Sequence, residues 1–190
     1  MVIDLKHKND LSFEVYVNKQ KKYIATGNLD CLKIKEHQVI NKFTLNDEQG
    51  QEFNFDSINI KKVKKGLFFK YFSLEYESKI YNVYDVGNGF VAHYMVYDND
   101  KQISEIVNTA KNIEIQTKGY ILDDYRYLEL PIIYLMLHYC AFYFKTCSRD
   151  TSCITYSKTY SKNNKFYNKE WIKNNFNDLN FFEEVNDNNN

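Results

Sequence analysis

The sequence predicts an α+β domain dominated by strands: an antiparallel β-barrel or strongly curved sheet enclosing one central hydrophobic helix, with a short C-terminal helix outside. Three observations lead there. Aromatic residues (17 Tyr, 14 Phe, one Trp) and β-branched residues (16 Ile, 11 Val, eight Thr) crowd the chain, against four Ala. Such side chains suit a pleated, half-buried surface, and Ala, the best helix former, is nearly absent. Turn signals recur about every ten residues through the first two-thirds, the spacing of a barrel or sandwich. One segment, Leu130–Phe144 (LPIIYLMLHYCAFYF), is apolar all round and carries no acidic or basic residue but one His.

The strands follow in order. Phe13, Val15 and Val17 alternate with Glu14 and Tyr16. Tyr23–Thr26 and residues 31–35 follow, separated by Gly27-Asn28. Residues 42–55 (KFTLNDEQGQEFNF) predict a hairpin turning through Asn46–Gly50. Ile58–Val63 and residues 67–77 come next. Ile80–Val86 and residues 90–97 flank Gly87-Asn88-Gly89, residues that tolerate positive φ and predict a tight turn. Gln102–Val107 and residues 112–122 complete the set.

Pro131, the only proline, suits the first turn of a helix. Fifteen helical residues rise about 22 Å, short of the roughly 30 Å of a bilayer core, so a fully enclosed helix is expected rather than a span. Residues 146–164 read as a polar loop with 153–156 extended. Asn168 is expected to cap a helix over residues 169–176, with Trp171, Ile172 and Phe176 on its apolar face and Leu179, Phe181 and Phe182 extending the contact. The expected organisation is one β-rich domain over residues 1–160, a helical appendage over 161–185, and a disordered polar tail over 186–190.

At 190 residues and 22.8 kDa the chain fits one domain with a proper core. Its 25 basic and 25 acidic residues cancel, which argues against general nucleic-acid binding. The bias to 23 Lys over two Arg, with 23 Asn, resembles the imprint of an AT-rich coding sequence and says little about chemistry. Cys31, Cys140, Cys147 and Cys153 lack CxxC spacing and a His cluster, so no zinc site is expected. The N-terminus MVIDLKHKND lacks the apolar core of a signal peptide. The expectation is a cytoplasmic chain with reduced thiols, peripheral to a membrane at most.

Antiparallel strands leading into one all-round apolar helix resemble the tubby C-terminal-like superfamily, which includes tubby, phospholipid scramblases and LURP-one-related proteins with bacterial relatives. The resemblance covers roughly residues 12–147. It rests on the hairpin 42–55, on residues 80–107 as later hairpins, and on Leu130–Phe144 as the core helix. It implies a twelve-stranded antiparallel barrel around a central helix. It also implies a non-catalytic binding or scaffold role, since tubby domains bind phosphoinositides and scramblases act at membranes. No position matches a tubby lipid-binding motif. This helix departs from the family pattern in its aromatic content: Tyr134, Tyr139, Phe142, Tyr143 and Phe144.

The strongest charge feature is SINIKKVKKGLFFK, residues 57–70, with Lys61, Lys62, Lys64, Lys65 and Lys70 and no acid. It is expected to meet an anionic membrane lipid or a protein partner, at about 1 kcal/mol per Lys near a bilayer. Its bland counterpart is an edge strand blunted by lysines. Asp123-Asp124, with Glu129 beyond, pairs carboxylates that suit acid–base work or a cation, and equally a turn and helix cap. His7, His37, His93 and His138 are scattered. His138 lies about 900° around the helix from Glu129, on the opposite side, and reads as a buried histidine bonded to a strand rather than a base. Cys140 and Cys147, seven apart, share a helix face, and Cys140 reads as packing. There is no GxSxG, P-loop, GxGxxG after a strand, or HExxH. No catalytic residue, metal or cofactor is expected. The alternatives are an enzyme with a site assembled from distant strands, and a scramblase-like protein inserting its apolar helix.

Overall fold

A computed structural model describes residues 1–9, 12–27, 34–35, 38–39, 43–65, 69–88, 91–111, 114–147, 168 and 170–176. The strands are β1 (Val2–Asn9), β2 (Ser12–Val17), β3 (Gln20–Gly27), β4 (Ile34–Lys35), β5 (Gln38–Val39), β6 (Phe43–Asp47), β7 (Glu52–Phe53), β8 (Asn59–Lys65), β9 (Phe69–Tyr76), β10 (Lys79–Asn88), β11 (Val91–Asp98), β12 (Lys101–Lys111) and β13 (Glu114–Ile121). A 3-10 turn over Asp123–Leu128 leads into α1 (Glu129–Cys147), and α2 is Trp171–Asn175.

Eleven strands form one antiparallel sheet in the order β7-β6-β3-β2-β1-β13-β12-β11-β10-β9-β8, and β4 pairs with β5 apart. Most neighbours are consecutive hairpins. Two pairs are not: β3 lies beside β6, with β4 and β5 between them in the chain, and β1 returns to lie beside β13, with Ile3 opposite Gly119 and Leu5 opposite Thr117. The two end strands, β7 and β8, are consecutive in the chain and joined by residues 54–58.

Period-two alternation sorts each strand into two rows. On the inner face Ile3 opposes Val17, Leu5 opposes Val15, Val15 opposes Tyr23, and Ala25 opposes Phe13 and Leu45. These residues are buried and share one core with Leu74, Tyr81, Val83, Tyr94, Val96, Ile106 and Ile121. The same core takes Ile132, Ile133, Leu135, Met136, Leu137 and Cys140 of α1. Of the described α1 side chains from Leu130 to Cys140, none is exposed. The helix comes closest over β13, where a Cβ added to Gly119 would stand 2.8 Å from Met136 Sδ. Lys22 Nζ (2.7 Å) and Tyr23 Oη (2.7 Å) of β3 donate to Glu129 at the helix start. Past β7, Phe55 stacks on Tyr134 at 4.7 Å between ring centroids.

On the outer face α2 covers the middle of the sheet. Trp171 and Ile172 pack with Val107 and Tyr120, with Val2, Leu122 and Phe176 at the margin. Among the described residues no helix is long and apolar enough to cross a membrane.

Several expectations change. Among the described residues the sheet is open, because no ladder joins β7 to β8, so it is not a closed barrel. The sequence reading placed no strand before residue 13, yet β1 sits mid-sheet. Its outward residues Asp4, Lys6 and Lys8 are charged, so only Ile3 and Leu5 mark its buried row. Gly87 and Asn88 belong to β10, in register with Ala92 and Val91, rather than to a turn. The helix runs on through Thr146 and Cys147, which had been assigned to the loop. The C-terminal helix is shorter than expected and Glu170, not Asn168, holds its N-cap position. Asn168 Oδ1 instead accepts from the Glu170 amide at 3.1 Å. Residues 31–33, 148–167 and 177–190, including the expected extended piece at 153–156 and the polar tail, lie outside the described residues.

Candidate functional site

The lysine run occupies a sheet edge. β8 is the last strand in the order and pairs with β9 alone among the described residues. Lys61 opposes Ser73 and Lys65 opposes Phe69, whereas Lys62 opposes Phe72 and Lys64 opposes Lys70. Ile60 opposes the buried Leu74, so positions 62, 64 and 70 fall in the inward row and 61 and 65 in the outward one. The fold therefore gathers the five lysines along one edge but divides them between its two sides. Lys61 Nζ donates to both carboxylate oxygens of Glu75 at 2.8 Å. Of the side chains of Lys62, Lys64, Lys65 and Lys70 nothing is described.

The acidic residues do not converge. Asp123 accepts from Arg126 Nε at 3.0 Å and Nη2 at 2.8 Å, and this guanidinium holds its carboxyl below the usual range. Asp124 Oδ2 lies 4.0 Å from Lys101 Nζ, and Glu129 is taken by Lys22 and Tyr23. Both aspartates are largely exposed, as a surface turn requires.

His7 packs its ring on Phe13 at 5.4 Å, and His37 lies outside the described residues. His138 is half-buried on α1, and desolvation pushes its imidazole down to about 4. Cys140 is buried and its thiol is pushed up to about 11 by desolvation, opposed by a 3.2 Å contact with Thr117 Oγ1. That makes it a poor nucleophile. Of the side chain of Cys147 nothing is described.

His93 is the histidine that the sequence undervalued. Its Nδ1 stands 2.8 Å from Glu105 Oε1, and Gln102 Nε2 donates to Glu105 Oε2 at 3.1 Å. Tyr97 Oη reaches Gln102 Oε1 at 3.4 Å. Glu105 is only 2% exposed. In a regular strand residues three apart point to opposite faces. Here the β11–β12 register shifts between Val96 and Tyr97, with Val96 opposite Ser104 but Tyr97 opposite Gln102. The extra residue, Ile103, enters the core, and Gln102 and Glu105 are both left on the outer face. An ionised Glu105 accepts only, so His93 must present Nδ1–H to it. The array orders an imidazole beside the patch under α2, since His93 opposes Val107 and Glu105 opposes Tyr120. The only local signal in the sequence is Gln102 and Glu105 among the apolar Ile103, Ile106 and Val107 of QISEIVN.

Among the described residues no group of three or more His, Cys, Asp and Glu is placed to hold a metal ion. No family model, curated protein or solved structure matches the chain.

Proposed function

We propose that the chain is a non-catalytic binding module of tubby-like type, in which a strongly curved sheet wraps α1 and docks through β8 on an anionic membrane surface. The wrapping follows from connectivity. Eleven strands laid flat would separate β7 from β8 by about 48 Å. Residues 54–58 bridge them with a reach of about 20 Å at most. The sheet must curl, and the Phe55–Tyr134 stack places this bridge against the helix. Residues of β13, β3 and the bridge then approach α1 from different directions.

The observation that carries the membrane contact is the concentration of five lysines and no acid within residues 57–70, four on the edge strand β8 and Lys70 at the start of its neighbour β9. Each lysine near an anionic bilayer contributes about 1 kcal/mol, lost as salt screens it. The test is co-sedimentation of the full chain with phosphatidylserine-containing and pure phosphatidylcholine vesicles. Binding to the anionic vesicles alone is expected. It should fall at least about tenfold when Lys62, Lys64, Lys65 and Lys70 become Gln. Equal retention on both vesicle types would sink the reading.

A further inference from the structure

The inner face changes character towards the end of β12 that leads to β13. Ile106 belongs to the inner core and Val107 to the outer cluster, so Asn108 and Ala110 fall in the inward row with Ile106. Asn108 opposes Ala92 of β11 on one side and Thr117 of β13 on the other, and Ala92 opposes Gly87 of β10. The chain has four alanines, and Ala25, Ala92 and Ala110 all take inward positions. These short residues stand where Val83, Tyr94 and Val96 fill the inward row further along the same strands.

One polar group is stranded among them. Asn108 is 5% exposed and its Nδ2 has no hydrogen-bond partner. Ala92 offers none, and the Thr117 hydroxyl is engaged with Cys140 Sγ of α1 at 3.2 Å. A buried amide N–H without an acceptor destabilises the chain that carries it. Ser104 Oγ, the other such atom among the described residues, lies two rows deeper, between Val96 and Ile121. Solvent reaches this end of the inner face. His7, in the inward row beyond Leu5, is exposed.

The stranded N–H calls for an acceptor oxygen. Leu5, Ile106 and Cys140, which surround it, are apolar and buried. Asp85, inward opposite Tyr94, disfavours an anion here. We infer that the inner face of β10–β13 and α1 enclose a binding site for a slender apolar molecule with one uncharged carbonyl oxygen, which accepts from Asn108 Nδ2. Ala92 and Gly87 make room for its chain. The site is independent of the lysine edge.

The test titrates the full chain with methyl hexyl ketone, isotope-labelled at the carbonyl carbon and followed by NMR. One saturable site is expected, with the carbonyl resonance moving downfield as the N–H···O bond forms. Asn108→Leu keeps the volume and removes the donor. It should bind the ketone about tenfold more weakly and, without ketone, melt about 3 °C higher. Ala92→Leu should abolish binding by filling the site. If that variant does not fold, the two Asn108→Leu readouts decide. Absence of saturable binding to wild type overturns the inference, and so does equal affinity in Asn108→Leu. A lower melting temperature for ketone-free Asn108→Leu also overturns it, because the amide would then be satisfied by the chain itself or by a trapped water.

Discussion

The two faces of this sheet are built by the same strands under different rules. The inner row is mostly apolar, with Ser104, Asn108 and Thr117 buried in it and the lysine positions 62, 64 and 70 at its β8 end, and it packs on α1, whose described side chains are all at least half-buried. The outer row pairs its charges across strands. Lys118 lies 3.7 Å from Asp4, and Glu14 takes Lys8 at 2.8 Å and Lys21 at 2.7 Å, which pull its carboxyl down to about 2. Only toward the middle does the outer row dry out. There Tyr120 and Met95 are fully buried and Glu105 survives burial because both its oxygens are hydrogen-bonded. The contrast teaches that α1 belongs to the core that defines the fold, whereas α2 is a one-turn cover on a face that is otherwise solvated.

That contrast can be broken at its strongest point first. Met136→Ala removes a fully buried side chain from the α1–β13 contact and is expected to cost about 4 kcal/mol in urea unfolding. Gly119→Ala alone should cost about 1–3 kcal/mol by crowding Met136 Sδ, and much less in the Met136→Ala background. Additive costs would mean that the close approach is not what requires glycine.

Next is the pH response of the inner face. His138 has a folded-state pKa of about 4 against 6.5 unfolded. The unfolded chain therefore takes up this proton first as pH falls. The stability that depends on neutral His138 is complete above about pH 6.5 and drains away towards pH 4, by roughly 3 kcal/mol. His138→Leu should flatten that part of the stability–pH curve, and an unchanged slope would place the titration elsewhere. The smallest effect belongs to the outer face. Trp171→Ala should cost about 2 kcal/mol and act locally, speeding amide exchange in α2 while β1 and β13 stay protected. A global loss as large as that of Met136→Ala would erase the distinction between the faces.

Much of this was legible beforehand, for reasons that particular residues make plain. Phe13, Val15 and Val17 alternate, so β2 could be read and its inward row named. Leu130–Phe144 is apolar on every side, so a buried helix was the economical reading. β1 was hidden because only Ile3 and Leu5 mark its inward row and charges fill the other. The breaks between β2 and β3 and between β9 and β10 could be placed from where alternation stops, although Asn18-Lys19 and Glu77-Ser78 take positive φ without glycine. The polar array on the outer face was invisible because it depends on a register shift at Val96–Tyr97 that no local pattern encodes.

By itself the sequence determined the strand content, the helix that must be buried, and the +5 segment at residues 57–70, because composition, period and local charge are properties of neighbours along the chain. Tertiary structure alone decided that β1 pairs with β13, that the two edge strands are tethered by residues 54–58, and that His93, Glu105 and Gln102 meet. Those contacts join residues on separate strands through pairing and register, and register is set by which rows can be buried together.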